Sequence, residues 1–208
     1  MISYGTLLMF FTTSILLALS PGPDNLIVMT QAAQQGRKAG LLVTLGLCTG
    51  LLFHTAAVTF GLAALFKASA LAFTVLKCTG AGYLLYLAWL SFRAGTETGS
   101  SAVADRLNSA ALYRRGIIMN ITNPKVSIFF LAFLPQFADP TKGSLPVQLL
   151  LLGGIFIVAT IIVFGAISIL AGVFGEKFRK SAFAQKLLNR AAAFIFAGLA
   201  LKLALAQR

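Results

Sequence analysis

The stretch Ser20-Pro21-Gly22-Pro23-Asp24-Asn25 decides how this chain is read. Asp24 is the only Asp, Glu, Lys or Arg between Met1 and Gly36. An acid in hydrocarbon is costly unless it lines a cavity or meets a partner, so it marks a functional site by default. The prolines and glycine break the helix at that depth and free backbone groups that protein, water or substrate must satisfy. A broken helix carrying a charge near the bilayer centre is how many transporters build a binding site.

The surroundings of that stretch place it in a membrane. The 208 residues are 58% hydrophobic and 11% charged, against roughly 25% charged in a soluble chain. Ala39–Phe66 and Gly143–Gly175 contain no charge at all, and uncharged stretches of that length read as spanning helices. Six spans are predicted, at about 3–30, 40–66, 70–92, 115–137, 147–174 and 188–206. The first is too long for one straight crossing of a core of about 30 Å, which fits a break at Pro21–Pro23. Ala18-Leu19-Ser20 imitates a signal-peptide cleavage site. No positive charge precedes the apolar run and a proline would follow the cut, so the segment is read as a retained span.

Basic residues set the orientation. With six spans, the loops after spans one, three and five share one side. That side holds Arg37, Lys38, Arg93, Arg106, Arg114, Arg115, Lys177, Arg179, Lys180, Lys186 and Arg190, eleven in all, against Lys67, Lys142 and Arg208 on the other. The positive-inside rule puts the eleven in the cytoplasm and both termini outside. This also explains the net charge of +12 without nucleic acid, and leaves a secondary attraction to anionic lipid.

Residues 94–114 form a polar linker between a first three-span half, 1–93, and a second, 115–208. An odd number of spans per half inverts one half relative to the other, the plan of many secondary transporters. The second half also begins with a broken span, Asn120-Ile121-Thr122-Asn123-Pro124-Lys125. Pro23-Asp24 falls on Pro124-Lys125, so each half carries a charge just after a proline, with opposite signs. The predicted fold is therefore an all-α integral membrane protein of six transmembrane helices, two inverted three-helix repeats with the first helix of each broken by proline.

At about 1.5 Å rise per residue, Asp24, His54 and Lys125 all fall near the middle of the bilayer. Asp24 and Lys125 are placed to neutralise one another, either as a transport site or as a static pair joining the halves. His54, the only histidine, shares a helix face with Gly46 and Gly50, which points to close packing on another span. It reads equally as a proton carrier or as a hydrogen-bonded packing residue. Lys77 and Lys202 lie toward outer span ends, within snorkelling reach. Tyr83, Tyr86 and Trp89 share a face, with Trp89 and Arg93 reading as an interface anchor, and Phe130, Phe133 and Phe137 form a packing stripe. Cys48 and Cys78 lie inside spans and imply neither a disulfide framework nor a metal site. No H-E-x-x-H, G-x-x-x-x-G-K or G-x-G-x-x-G occurs, so no ATP-driven engine is evident.

The stretch Ser20–Asn25 followed by the glycine-rich span to His54 resembles the lysine-exporter type (LysE/RhtB) of bacterial amino-acid exporters. So do Lys77-Cys78-Thr79-Gly80-Ala81-Gly82-Tyr83-Leu84-Leu85-Tyr86-Leu87 and, most strongly, Asn123-Pro124-Lys125 through Leu134-Pro135-Gln136-Phe137. The likeness covers nearly the whole chain in order, and is nearer the homoserine, threonine and leucine branch. Val126 and Ser127 depart from the small residues expected there. The resemblance implies export of small amino acids to the periplasm, driven by protons, through Pro21, Gly22, Pro23, Asp24, Asn25, His54, Lys77, Asn123, Pro124 and Lys125. It implies a multi-pass protein of the bacterial inner membrane with no cofactor, a proton as coupling ion, and no enzymatic activity. The partners expected are a small amino acid and membrane lipid, with no nucleic acid, and a homo-oligomer is compatible with the sequence. The alternative readings are a channel or lipid-handling protein, and after them a membrane-embedded enzyme.

Overall fold

The computed structural model of the chain describes residues 2–68, 70–93, 107–179 and 182–205. Among these, eight α-helices form and no strand. They are α1 (Tyr4–Leu19), α2 (Pro23–Gln35), α3 (Arg37–Ala68), α4 (Ala70–Arg93), α5 (Ser109–Ile121), α6 (Pro124–Ile128), α7 (Leu145–Arg179) and α8 (Ala182–Leu205). Arg37–Gly61 of α3 and Leu145–Ala171 of α7 are each long and apolar enough to cross a membrane. Two bent pairs bring the number to four if each is one span: α1 with α2, bent by 61°, and α5 with the segment Pro124–Phe137, bent by 50°.

Both bends fall at the expected prolines. Pro23 and Pro124 each occupy the first helical turn after the break, where a missing N–H costs nothing. Gly36, at φ 86°, makes the left-handed turn from α2 into α3 that a side chain would resist. The helix α5 starts at Ser109, inside the segment read from sequence as linker, because Asn108 caps it by accepting a 2.8 Å bond from the Ala111 N–H. Residues 94–106 lie outside the described residues.

Small residues let the long helices meet. A methyl on Gly46 would run into the Tyr113 carbonyl and the Gly116 Cα, and one on Gly116 into the Val43 carbonyl. The helices α3 and α5 therefore cross backbone to backbone, where dispersion replaces the hydrophobic drive that lipid does not supply. Gly40 meets Ser168 and Gly153 meets Thr55, seating α7 on the other side of α3. The helix α2 packs on α3 and α7, and α4 packs on α8.

The core of the second broken pair is aromatic. Phe130, Phe133 and Phe137 are buried with Phe10, Phe129 and Phe156, and the Phe10 and Phe137 rings meet edge-on at 5.0 Å. The stripe is packing. Phe129–Phe133 is a π turn, with the Leu134 N–H bonded to the Phe129 carbonyl. Pro135 explains it, since its ring would strike the Leu131 carbonyl in a regular α-helix. Gln148 then clamps the following loop, exchanging bonds of 2.9 and 2.8 Å with the Asp139 backbone. The Asp139 carboxyl is held down to about 2 by the Thr141 hydroxyl, the Thr141 N–H and Lys142.

Candidate functional site

Each break takes the helical N–H away from a particular carbonyl. In a continuous helix the Leu17 carbonyl would accept from residue 21 and the Asn120 carbonyl from residue 124; both positions are proline and have no N–H. Side chains from elsewhere reach both carbonyls, and the Asn123 N–H also donates to the Asn120 carbonyl at 3.1 Å. Lys125 Nζ donates to the Ser20 carbonyl at 2.9 Å and to the Leu17 carbonyl at 3.4 Å. His54 Nε2 lies 3.1 Å from the Asn120 carbonyl. A carbonyl only accepts, so His54 carries a hydrogen on Nε2.

The two charges are deeply buried, Asp24 at 3% exposure and Lys125 at 5%. They do not form the direct ion pair that their sequence placement suggests, since no carboxylate oxygen of Asp24 lies within salt-bridge distance of Lys125 Nζ. The helix break supplies the reason. The end of α1 offers Lys125 free carbonyls and the negative end of a helix dipole, while Asp24 sits in the first turn of α2, at the positive end. Asp24 Oδ2 accepts a 3.1 Å hydrogen bond from Asn120 Nδ2. Asn25 Nδ2 donates to the Ala18 carbonyl at 2.7 Å, and Asn123 Oδ1 caps α6 by accepting from the Lys125 N–H at 3.0 Å.

Glycines make room for this arrangement. A methyl on Gly22 would lie 2.9 Å from Lys125 Nζ, and one on Gly50 would lie 2.6 Å from Asn120 Oδ1. The face Gly46, Gly50, His54 thus packs on α5, as its spacing suggests, and carries His54 to the break. Phe130 covers the imidazole, with ring centres 5.6 Å apart.

Five polar atoms buried around the two breaks have no hydrogen-bond partner: Ser20 Oγ, Asp24 Oδ1, Asn25 Oδ1, Asn120 Oδ1 and Asn123 Nδ2. Buried polar atoms are almost always paired, and an unpaired one is costly. Three acceptor oxygens, a hydroxyl that can donate or accept, and one donor nitrogen, gathered around a carboxylate and an ammonium, form a place suited to a small polar ligand. Among the described residues no three His, Cys, Asp or Glu side chains gather as a metal site.

Pro21, Gly22, Pro23, Asp24, Asn25, Asn123, Pro124 and Lys125 therefore lie together at the facing breaks, and His54 joins them through Asn120. Lys77 falls on α4, and its side chain, like that of Lys202, lies outside the described residues. Ser20 and Asn120 were not among the site residues picked out from sequence. Asn120 carried one usable signal, its position one helical turn before Pro124, which is where a proline withholds the helical N–H from a carbonyl.

Residues 15–207 match the family described as LysE type translocator. A Vibrio cholerae protein described as an uncharacterized membrane protein is 32% identical over 200 residues, 96% of this chain and 97% of that one. The homoserine/homoserine lactone efflux protein of Salmonella typhimurium is 37% identical over 162 residues, 78% of each chain. The leucine efflux protein of Salmonella choleraesuis is 31% identical over 144 residues, 69% of this chain and 68% of its own. No solved structure matches significantly. With its family model spanning both proline breaks and the charges they bring together, this membrane protein belongs to the LysE type translocator family.

Proposed function

We propose that the chain is a six-span secondary transporter of the bacterial inner membrane. It exports small amino acids or close derivatives to the periplasm in exchange for protons. The efflux relatives support the direction and the substrate class. The observation that carries the reading is the pair Asp24 and Lys125, opposite charges that are both buried and not bonded to each other. An amino-acid zwitterion bears both complementary charges on neighbouring groups.

The substrate ammonium docks on Asp24 Oδ1, the carboxylate oxygen left unpaired. The substrate carboxylate docks toward Lys125 and Asn123 Nδ2, which is also unpaired. Both contacts are charge-assisted and therefore strong. A proton bound by Asp24 from outside removes the charge that holds the ammonium, so substrate leaves. Return of the proton to the cytoplasm restores the carboxylate. His54, bonded to the carbonyl at the second break, is the second proton-carrying group. The halves 1–93 and 115–208, inverted relative to one another, rock about the two breaks to expose the site to each side in turn. Both termini then face the periplasm.

The test is a panel of labelled small amino acids in proteoliposomes with an imposed pH gradient. Saturable movement of one or more of them that stops when the gradient is collapsed is the expected result. Movement that never saturates and ignores the gradient would mean a pore, and the exporter reading would be wrong.

A further inference from the structure

Asn120 occupies a position that the transport cycle above does not use. Its side-chain Nδ2 donates to Asp24 Oδ2, and its main-chain carbonyl, which Pro124 cannot serve with an N–H, accepts from the Asn123 N–H and from His54. It is 1% exposed. One residue on α5 thus joins the acid of the first broken span to the imidazole of α3. After these bonds, two buried oxygens remain unpaired within the couple, Asp24 Oδ1 and Asn120 Oδ1. Two lone-pair oxygens suit an ionised carboxylate poorly. They suit a carboxylic acid, because an acid facing an amide donates its O–H to the amide oxygen while accepting from the amide nitrogen.

We infer that Asn120 is a positioning residue that serves both protonation states of Asp24, donating to the carboxylate through Nδ2 and accepting from the acid through Oδ1. It thereby registers the proton at the second break. This deepens the exporter reading and rests on it only for the purpose of the proton. The proton comes from water and binds a carboxylate oxygen, and no other bond changes. An amide is the side chain suited to this place, since a carboxylate would repel Asp24 and an apolar residue would serve neither state. Gly50 holds the amide in register, because any side chain there meets Asn120 Oδ1, Cβ and Cγ.

Among the described residues, the groups that face Asp24 are few. From α6 comes Lys125, within electrostatic reach. From α3 comes His54, acting through Asn120, with Cys48 farther along the same helix. On α5, Tyr113, Arg114 and Arg115 lie more than a turn before Asn120, and Tyr113 is bonded to Thr49 at 2.8 Å. Residues 145–171 of α7 carry no ionisable side chain.

Infrared difference spectroscopy of the purified protein reads the carboxylic C=O band of protonated Asp24, assigned by its loss in Asp24→Asn. In Asn120→Leu the titration midpoint should rise by about one pH unit, because the lost bond to the ionised form is stronger than the lost bond to the acid. Gly50→Ala, which keeps the amide but displaces it, should move the midpoint the same way. An unmoved midpoint in either folded variant overturns the proposal. A third arm needs no variant. In wild-type protein with 13C-labelled asparagine, a side-chain amide band should change at the pH where the carboxylic band appears. A carboxylic band with no amide change, or no titration of Asp24 at all, overturns it too. None of these arms reads transport. A protein that passed them and moved no amino acid would contradict the exporter reading and leave this one standing.

Discussion

Lys125 reaches its two carbonyls across a residue with no side chain. Gly22 is extended, at φ 178°, so any residue can adopt its backbone, and space alone demands glycine there. Gly22→Ala should therefore fold, since the far end of a lysine can swing aside. It should displace the ammonium from Ser20 and Leu17. Misplacement of about 1 Å at a reacting or binding group can cost about 100-fold in rate, so transport should fall by about that factor while purified yield stays near wild type. Wild-type rates in this variant would show that the position of Lys125 is immaterial. His54→Gln is the second residue-scale test. Glutamine keeps an N–H for the Asn120 carbonyl but cannot carry a proton near neutral pH. The variant should exchange substrate at equal pH and fail to use a gradient, and normal gradient coupling would remove His54 from the mechanism. The two lone charges were legible in the sequence because each stands beside a proline in an apolar run. Their partners were not. Leu17, Ser20 and Asn120 act here through main-chain oxygens or a neutral amide, and although a proline marks the carbonyl that loses its helical N–H, nothing in residue type announces which side chain will reach it.

At the scale of elements, the breaks were legible and the ends were not. Proline removes a specific N–H, so Pro21–Pro23 and Pro124 locate the bends. The start of α5 depends on whether Asn108 turns its side chain to the Ala111 N–H, a local choice that apolar periodicity does not record. The π turn at Phe129–Phe133 was likewise hidden inside an apolar run, although Pro135 is its cause. Contacts between helices depend on glycine in a way that can be measured. Gly116→Val forces α5 off the backbone of α3, and overpacking of this kind typically costs about 1–3 kcal/mol. Its thermal midpoint in detergent should drop well below wild type. Gly154→Ala is the control, because nothing lies within 4 Å of a methyl there. The same scan should find it unchanged or raised, by up to about 1 kcal/mol of helix propensity. Equal losses in both variants would refute the glycine-mediated crossing of α3 and α5.

The whole molecule joins two proline-broken helical pairs of one chain into a shared polar site, and the exporter reading requires that those pairs enter the membrane from opposite sides. Orientation can be tested by replacing Cys48 and Cys78 and placing single cysteines at Ser100 and Ser144. An impermeant thiol reagent added to intact cells should label the cysteine at Ser144, an exposed position, and spare the one at Ser100. Reversed labelling would end the model with both termini outside. The central claim is that proton and amino acid compete for one buried site and move in opposite directions. Thermodynamic linkage makes that coupling reciprocal. The decisive measurement therefore reverses the usual experiment, loading wild-type proteoliposomes with a transported amino acid and a trapped pH-sensitive dye at equal pH on both sides. Outward flow of the amino acid should acidify the interior, and Asp24→Asn should abolish that signal. Outward flow with no change in internal pH would contradict the account.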